Sequence, residues 1–347
     1  MRQPKSLSYS AFTLYEKDTD EYFLKYLAEN RPARLPQLQP MAVGSAFDAE
    51  VKAAMHSDIF GAGSDPKYTF EALYEAQVES QNRDFARGPG RICLDAYKLS
   101  GSYDDMLRLL LKAVEPPKFE STVETPLPNG VPWTGKPDLR FVLQFPGMEQ
   151  INVIHDWKVR QFMSKSAASP SKGYALCRDG YDAVARKAHA TKSFPGGKQS
   201  DSHMAEHKNY MAADHRGFTV NAGMMEFCND EYAAQVSSYA WQLGETPGDE
   251  NFVISIDELC CKPAEPFPLI RVAQHRGRVG RDFQLDLLKR IGKCWEAINS
   301  GHVFQDMTRE ENDSRIELLD AMAVSLASDG SSAEDFFNEC VRPQFKR

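Results

Sequence analysis

Asp156 and Lys158 stand two residues apart in a segment whose residues alternate. Over 151–159, Ile151, Val153, His155, Trp157 and Val159 fall on one face of an extended chain, and Asn152, Ile154, Asp156 and Lys158 on the other. Pro146-Gly147-Met148-Glu149-Gln150 reads as a turn joining this segment to an earlier extended one over 133–145. Pairing the two across a turn centred near 147 or 148 sets Asp138 opposite Asp156 or Lys158. Two carboxylates and an ammonium then converge through local geometry alone. Such a group suits phosphodiester hydrolysis. Mg²⁺ takes one or two carboxylates plus waters and phosphate oxygens, and it both activates water and offsets charge at phosphorus. A lysine beside it supplies a point charge to the phosphate or orients the attacking water. A D-x-K pair alone is equally a solvated salt bridge on a strand, so its weight rests on the elements around it.

Those elements fall into a helical part and a part with a sheet. Ser8 is a candidate N-cap for a helix over 9–28, in which Phe12, Tyr15, Phe23, Tyr26 and Leu27 suit an apolar face. A proline-bearing linker over 31–40 leads to helices expected over 41–56, 66–86 and 102–114, the last ending before Pro116-Pro117. Strands are expected over 119–125, 133–145, 151–159, 251–257 and 269–274, and further helices over 229–244 and 281–299. The stretch 160–222 is polar and rich in Gly, Ser and Lys, with weak helical signals near 178–190 and 201–213. The pattern predicts an α/β fold with a central mixed sheet of about five strands and helices on both sides. It divides into a helical part over 1–115, a core over 116–304 carrying the 160–222 insertion, and an acidic tail over 305–347.

Of 347 residues, 42% are hydrophobic and 11% aromatic, ordinary values for a folded protein and too high for a disordered one. No apolar run approaches the roughly 20 residues of a membrane span, and the first residues, MRQPKSLSYSAF, lack the apolar core of a secretory signal, so a cytoplasmic location is expected. Seven Cys, an odd number with no CxxC pair, read as thiols, and neither a zinc site nor an iron–sulfur cluster is expected. A net charge of −8 excludes a protein that coats nucleic acid by bulk charge. Positive charge is local instead: from Arg160 to Arg216 there are ten Lys or Arg against five Asp or Glu, directly after Lys158. This segment is a candidate lid over phosphates, with Lys172 and Arg178 as candidate contacts.

The order of the motifs resembles the RecB-like branch of the PD-(D/E)XK nucleases, with phage recombination exonucleases the nearest group. The blocks are Ser8-Tyr9-Ser10 at the first helix, Gly44-Ser45-Ala46-Phe47-Asp48 in the second, Gly135-Lys136-Pro137-Asp138, Val153-Ile154-His155-Asp156-Trp157-Lys158, Gln235-Val236-Ser237-Ser238-Tyr239, and a late segment from Trp295 to Gly301. They are short and span about 8–302. The resemblance implies a restriction-endonuclease-like core, Mg²⁺ or Mn²⁺ at Asp138, Asp156 and Asp48, and a role for Lys158 in assisting water. Asp48 stands where the family commonly has His, and a carboxylate serves a hard ion as well. Gly44, one turn before Asp48, is expected to let that helix face approach the sheet. Gln235 and Tyr239, at i and i+4 on one helix face, would contact the active site or DNA backbone. Glu120 and Glu124 share a strand face, and Glu124 is a candidate further metal ligand; His155 is expected to be a packed structural residue on the opposite face. The implied activity is metal-dependent exonuclease action on linear DNA in phage or bacterial recombination and repair. The alternatives are a structure-specific or restriction-like endonuclease and a catalytically silent DNA-binding protein. DNA is the implied partner, a single-strand annealing protein a further candidate partner.

Overall fold

The computed structural model describes residues 2–29, 34–99, 101–144, 146–147, 149–162, 174–175, 230–248, 252–262, 269–300 and 317. Ser8 caps helix α1 (Tyr9–Lys17) by accepting from the Ala11 amide at 3.3 Å. The single helix expected over 9–28 is broken at Asp18. Its backbone is extended, and its carboxylate accepts from the Glu21 amide at 2.9 Å to start α2 (Thr19–Tyr22), which passes into a π turn over Phe23–Leu27. A short side chain that hydrogen-bonds nearby backbone makes an N-cap where periodicity alone suggests continuation.

Helix α3 (Gln39–Phe60) is the longest of the described helices and ends at Gly61, φ 93°. The helix expected over 66–86 is instead α4 (Phe70–Gln77) followed by α5 (Arg83–Leu99), and α6 (Ser102–Leu110) follows. Gly88-Pro89-Gly90 reads as a break, yet α5 runs through it with Pro89 inside the helix. Packing overrides propensity here: a Cβ on Gly90 would stand 2.6 Å from Ala46 Cβ and 2.9 Å from the Ala46 carbonyl carbon, so Gly90 lets α5 lie on α3. Gly44, by contrast, has nothing within 4 Å of where its Cβ would be. The close approach of α3 therefore uses Ala46 and Gly90, and the role expected of Gly44 is corrected.

The sheet is mixed, and the fold is α/β with helices on both faces. Among the described residues the strand order is β1 (Lys118–Phe119), β4 (Leu139–Gln144), β5 (Gln150–Phe162), β7 (Val253–Lys262), β8 (Leu269–Gly277), β6 (Tyr174–Ala175). The four central strands are long and the outer two have two residues each. β5 and β7 pair in parallel; the other pairs are antiparallel. A separate ribbon joins β2 (Val123–Glu124) to β3 (Thr134–Gly135). The strand expected over 119–125 is thus divided between two sheets, and Glu120, with φ 49°, stands at the division.

Side-chain alternation on β5 sorts the layers. Ile151, Val153 and Trp157 pack with Phe47, Val51 and Met55 of α3 and with Leu94 and Tyr97 of α5. Ile154 packs on the opposite face with Ile254, Ile256 and the Ala233, Val236 and Ala240 stripe of α7 (Asp230–Gln242). Behind α7, Trp241 meets Phe12 of α1, Trp133, and Leu287 and Ile291 of α8 (Arg281–Ser300). The chain passes β5, α7, β7, so a helix-bearing crossover joins the two parallel strands. No helix among the described residues is long and apolar enough to cross a membrane.

Candidate functional site

The β4–β5 hairpin sets the first part of the site. Leu139 pairs with His155, so the same register carries Asp138, one residue before β4, opposite Asp156. Asp138 Oδ2 accepts from the Trp157 amide at 3.1 Å, which ties Asp138 to the strand that carries Asp156. Lys158, on the same face as Asp156, brings its Nζ to 2.5 Å from Asp156 Oδ2 and lies 5.4 Å from the Tyr232 ring. His155 points the other way, is fully buried, and meets Ser255 Oγ of β7 at 2.8 Å. That is a packing role, as the alternation predicts.

The second part comes from α3 and from the corner at Glu120. Lys52, one turn after Asp48, sends its ammonium among three carboxylates: Asp48 Oδ2 at 2.5 Å, Glu120 Oε1 at 2.7 Å and Asp138 Oδ1 at 2.8 Å. Its side chain is 1% exposed. A buried ammonium is costly unless paired, and these three partners hold it charged, well above its ordinary pKa despite burial. Gln77 Nε2 and Lys136 Nζ, each at 2.6 Å, donate to the two Glu120 oxygens.

Charge and burial divide the acids. Burial pushes Asp156 up to about 8, with Lys158 opposing and Asp138 reinforcing the rise. Burial pushes Asp48 up to about 7 against the pull of Lys52. Burial acts on Asp138 as well, but the charges of Lys52 and Lys158 outweigh it and hold Asp138 below the carboxylate range. Lys52 and Lys136 likewise hold Glu120 low against burial. The two neighbouring acids are pushed in opposite directions, as expected where like charges meet in a partly dry site.

One carboxylate oxygen each from Asp48, Glu120 and Asp138 lies within 4.8 Å of the others, a spacing that suits a metal ion. The donor set fits a hard cation: all three are oxygens, and Asp48 Oδ1 is buried with no hydrogen-bond partner. Lys52 supplies the positive charge among them.

Gln235 and Tyr239 lie on one face of α7, and Gln235 Nε2 donates to Tyr239 Oη at 2.7 Å. Burial and then the charge of Asp156 push the Tyr239 hydroxyl up to about 12. Gly135 explains how α7 comes so near: a Cβ there would lie 2.2 Å from Gln242 Oε1 and 2.7 Å from Tyr239 Cδ1. The helix is pinned by Gln242 Nε2, which donates to the Val123 and Trp133 carbonyls at 3.0 Å each.

Asp48, Asp138, Asp156 and Lys158 therefore come together, with Tyr239 beside them. Glu124 does not join them. It is exposed on β2 opposite Thr134, and the neighbouring acid in the cluster is Glu120, because the chain turns between them. Lys172, Arg178 and most of the basic segment lie outside the described residues. Sequence reasoning missed Lys52, Lys136 and Gln77. Only Lys52 carried a signal, its i, i+4 spacing from Asp48. The chain matches no model of a known protein family, and no curated relative matches its sequence.

Proposed function

We propose that this protein is a divalent-metal-dependent deoxyribonuclease with a restriction-endonuclease-like core of the PD-(D/E)XK type, acting from the ends of linear DNA. The observation that carries the reading is the convergence of Asp138 with Asp156 and Lys158 from one hairpin and with Asp48 and Glu120 from outside it. Carboxylates on a strand and a helix and a lysine on the carboxylate strand fit phosphodiester hydrolysis better than a structural ion pair, which needs no such excess of acids. Asp48, Asp138 and Asp156, with Glu120, would hold Mg²⁺ or Mn²⁺. Bound there, the ion supplies Lewis acidity and a water of lowered pKa. Lys158 is placed to orient that water or to meet charge on the phosphate. Exonuclease mode and DNA as substrate rest on the motif resemblance, and phosphate contacts by Lys172 and Arg178 rest on charge alone.

The test is an end-labelled linear duplex and a covalently closed circle, each with Mg²⁺ or EDTA. Linear DNA is degraded only with Mg²⁺, and the circle survives. Asp156→Ala and Lys158→Ala each lower the rate by about a hundredfold or more while the protein stays folded. Cleavage by Asp156→Ala at the wild-type rate overturns the assignment; efficient cutting of the circle replaces exonuclease by endonuclease action.

A further inference from the structure

Helix α3 carries more than the carboxylate cluster. Asp48, Lys52, His56 and Phe60 follow one another at four-residue spacing, a stripe that winds slowly around the helix from charged to aromatic. Its aromatic end lines a cleft of about 530 Å³, within the roughly 300–1,000 Å³ of small-ligand sites. The His56 ring stacks on Tyr68 with centroids 4.2 Å apart and planes 14° from parallel, and Phe119 meets the His56 ring at 5.8 Å edge-on. Tyr68 Oη donates to the Phe119 carbonyl at 2.8 Å, which ties the rings into one wall. Burial lowers the His56 pKa against the opposing charge of Asp65. Phe60, 38% exposed, is the most open of these rings.

The cleft and the cluster share a residue. Glu120 lines the cleft and also accepts from Lys52. The chain enters Glu120 from Phe119 of the aromatic wall and holds φ at 49° there. A non-glycine residue in that region is strained, and such strain collects at functional sites. Lys52 and His56 differ by one turn, roughly 6 Å along the helix, the scale of one nucleotide.

We propose that this cleft binds a nucleobase of the strand whose phosphate lies at the carboxylate cluster. The idea rests on the nuclease reading and names the feature of substrate that the site grips. The lining favours a base over a phosphate. Asp65 and Glu120 outnumber Lys118 there, so a phosphate is repelled, whereas the N–H donors on a neutral base edge find acceptors in those carboxylates and in Ser64 and Ser121. Phe60 and the part-exposed Tyr68, backed by the buried His56 and Phe119 rings, offer the apolar ring surface that any base covers, so the grip is tolerant of sequence.

The experiment measures binding of fluorescent oligothymidylate, and of the same strand made wholly abasic, to the full chain with Ca²⁺ as the divalent ion, for wild type, Phe60→Ala and Phe60→Trp. Phe60 is exposed enough for both variants to fold, and circular dichroism checks this. Wild type binds the base-bearing strand roughly tenfold more tightly than the abasic one. Phe60→Ala loses most of that difference and Phe60→Trp restores it. Equal loss for both strands, or no loss, overturns the proposal. Cleavage with Mg²⁺ is scored separately. A chain that never cleaves but shows base- and Phe60-dependent binding keeps the cleft and loses the nuclease reading, and cleavage without base dependence does the reverse.

Discussion

Asp156 and Lys158 enter the site from one strand, two residues apart on one face, and meet at 2.5 Å. Asp48, Lys52 and Glu120 enter from a helix and a strand corner, with Lys52 and Glu120 68 positions apart in the chain. Asp138 belongs to both groups: its Oδ1 accepts from Lys52 and its Oδ2 from the Trp157 amide. The strand half is set by a hairpin, whose closure is local and whose alternation fixes which side chains share a face. The helix half exists only once α3 has docked on the sheet. The lysines differ accordingly: Lys158 is 23% exposed with one carboxylate at 2.5 Å, whereas Lys52 is 1% exposed among three. The strand half keeps a cation open to an incoming group; in the helix half the cation is locked into the fold.

The strongest way to break that division is to remove each ammonium while keeping its stem. Lys52→Met leaves Asp48, Glu120 and Asp138 without their common counter-ion. Taking one partner from a buried ion group costs about 3–5 kcal/mol, and the lower end applies here because the three carboxylates are 15–19% exposed. Denaturant unfolding in EDTA reads the loss, and Mg²⁺ restores more stability to this variant than it adds to wild type. Lys158→Met, at a side chain 23% exposed and paired with one carboxylate rather than three, loses less stability than Lys52→Met and loses cleavage instead. Equal destabilisation by the two would dissolve the distinction.

A smaller effect sharpens it through pH. Asp156 and Asp48 are raised to about 8 and about 7 in the folded protein, so they retain protons that the unfolded chain has released. Between the unfolded carboxylate range near pH 4 and about pH 8 the native state binds more protons, and stability falls as pH rises. Asp138 and Glu120 are lowered, so their contribution is lost only on acidification below that window. In EDTA the melting temperature of wild type declines from pH 5 to pH 8 by on the order of a few degrees relative to Asp156→Asn, whose amide cannot titrate. A wild-type profile parallel to that of Asp156→Asn would mean that Asp156 does not titrate in this window.

What the sequence disclosed follows the same division. The strand pair, the opposition of Asp138 to Asp156 and the turn of His155 to the face opposite Asp156 all follow from alternation and a short turn, and the register of the hairpin agrees. Asp48 was within reach through motif order. Lys52 was not, because an i, i+4 Asp–Lys pair is ordinarily a surface pair and nothing local says that it will be buried against residues 68 and 86 positions later. The helix boundaries failed where side chains or packing override periodicity: Asp18 makes a cap inside an apolar pattern, and the helix expected over 66–86 is divided into α4 and α5, with α5 carried on to Leu99 where Gly90 lies on Ala46. The division of the strand at Glu120 has the same source, since a backbone held at positive φ is stabilised by contacts that the local sequence does not contain.

That division yields the most delicate comparison, between two acids that alternation puts on one face. Glu120 is 15% exposed and receives Lys52, Gln77 and Lys136; Glu124 is exposed on the β2–β3 ribbon. Glu120→Gln keeps the length and one oxygen acceptor but removes a charge from the cluster. The Mg²⁺ concentration for half-maximal cleavage should rise by roughly tenfold, the lower end of what supporting residues around metal ligands contribute. Glu124→Gln should leave that concentration unchanged and stability within about 0.5 kcal/mol of wild type, as for most exposed positions. The measurement is a metal titration of linear-duplex cleavage, with unfolding in EDTA as the control. In EDTA, Glu120→Gln should lose some stability, because Lys52 and Lys136 each lose an ionic partner; a change in metal requirement without that loss would make Glu120 a ligand only. The reverse pattern, with Glu124→Gln raising the metal requirement, would move the ion toward the ribbon and leave Asp48, Glu120 and Lys52 as an ion-pair network that fastens α3 to the sheet.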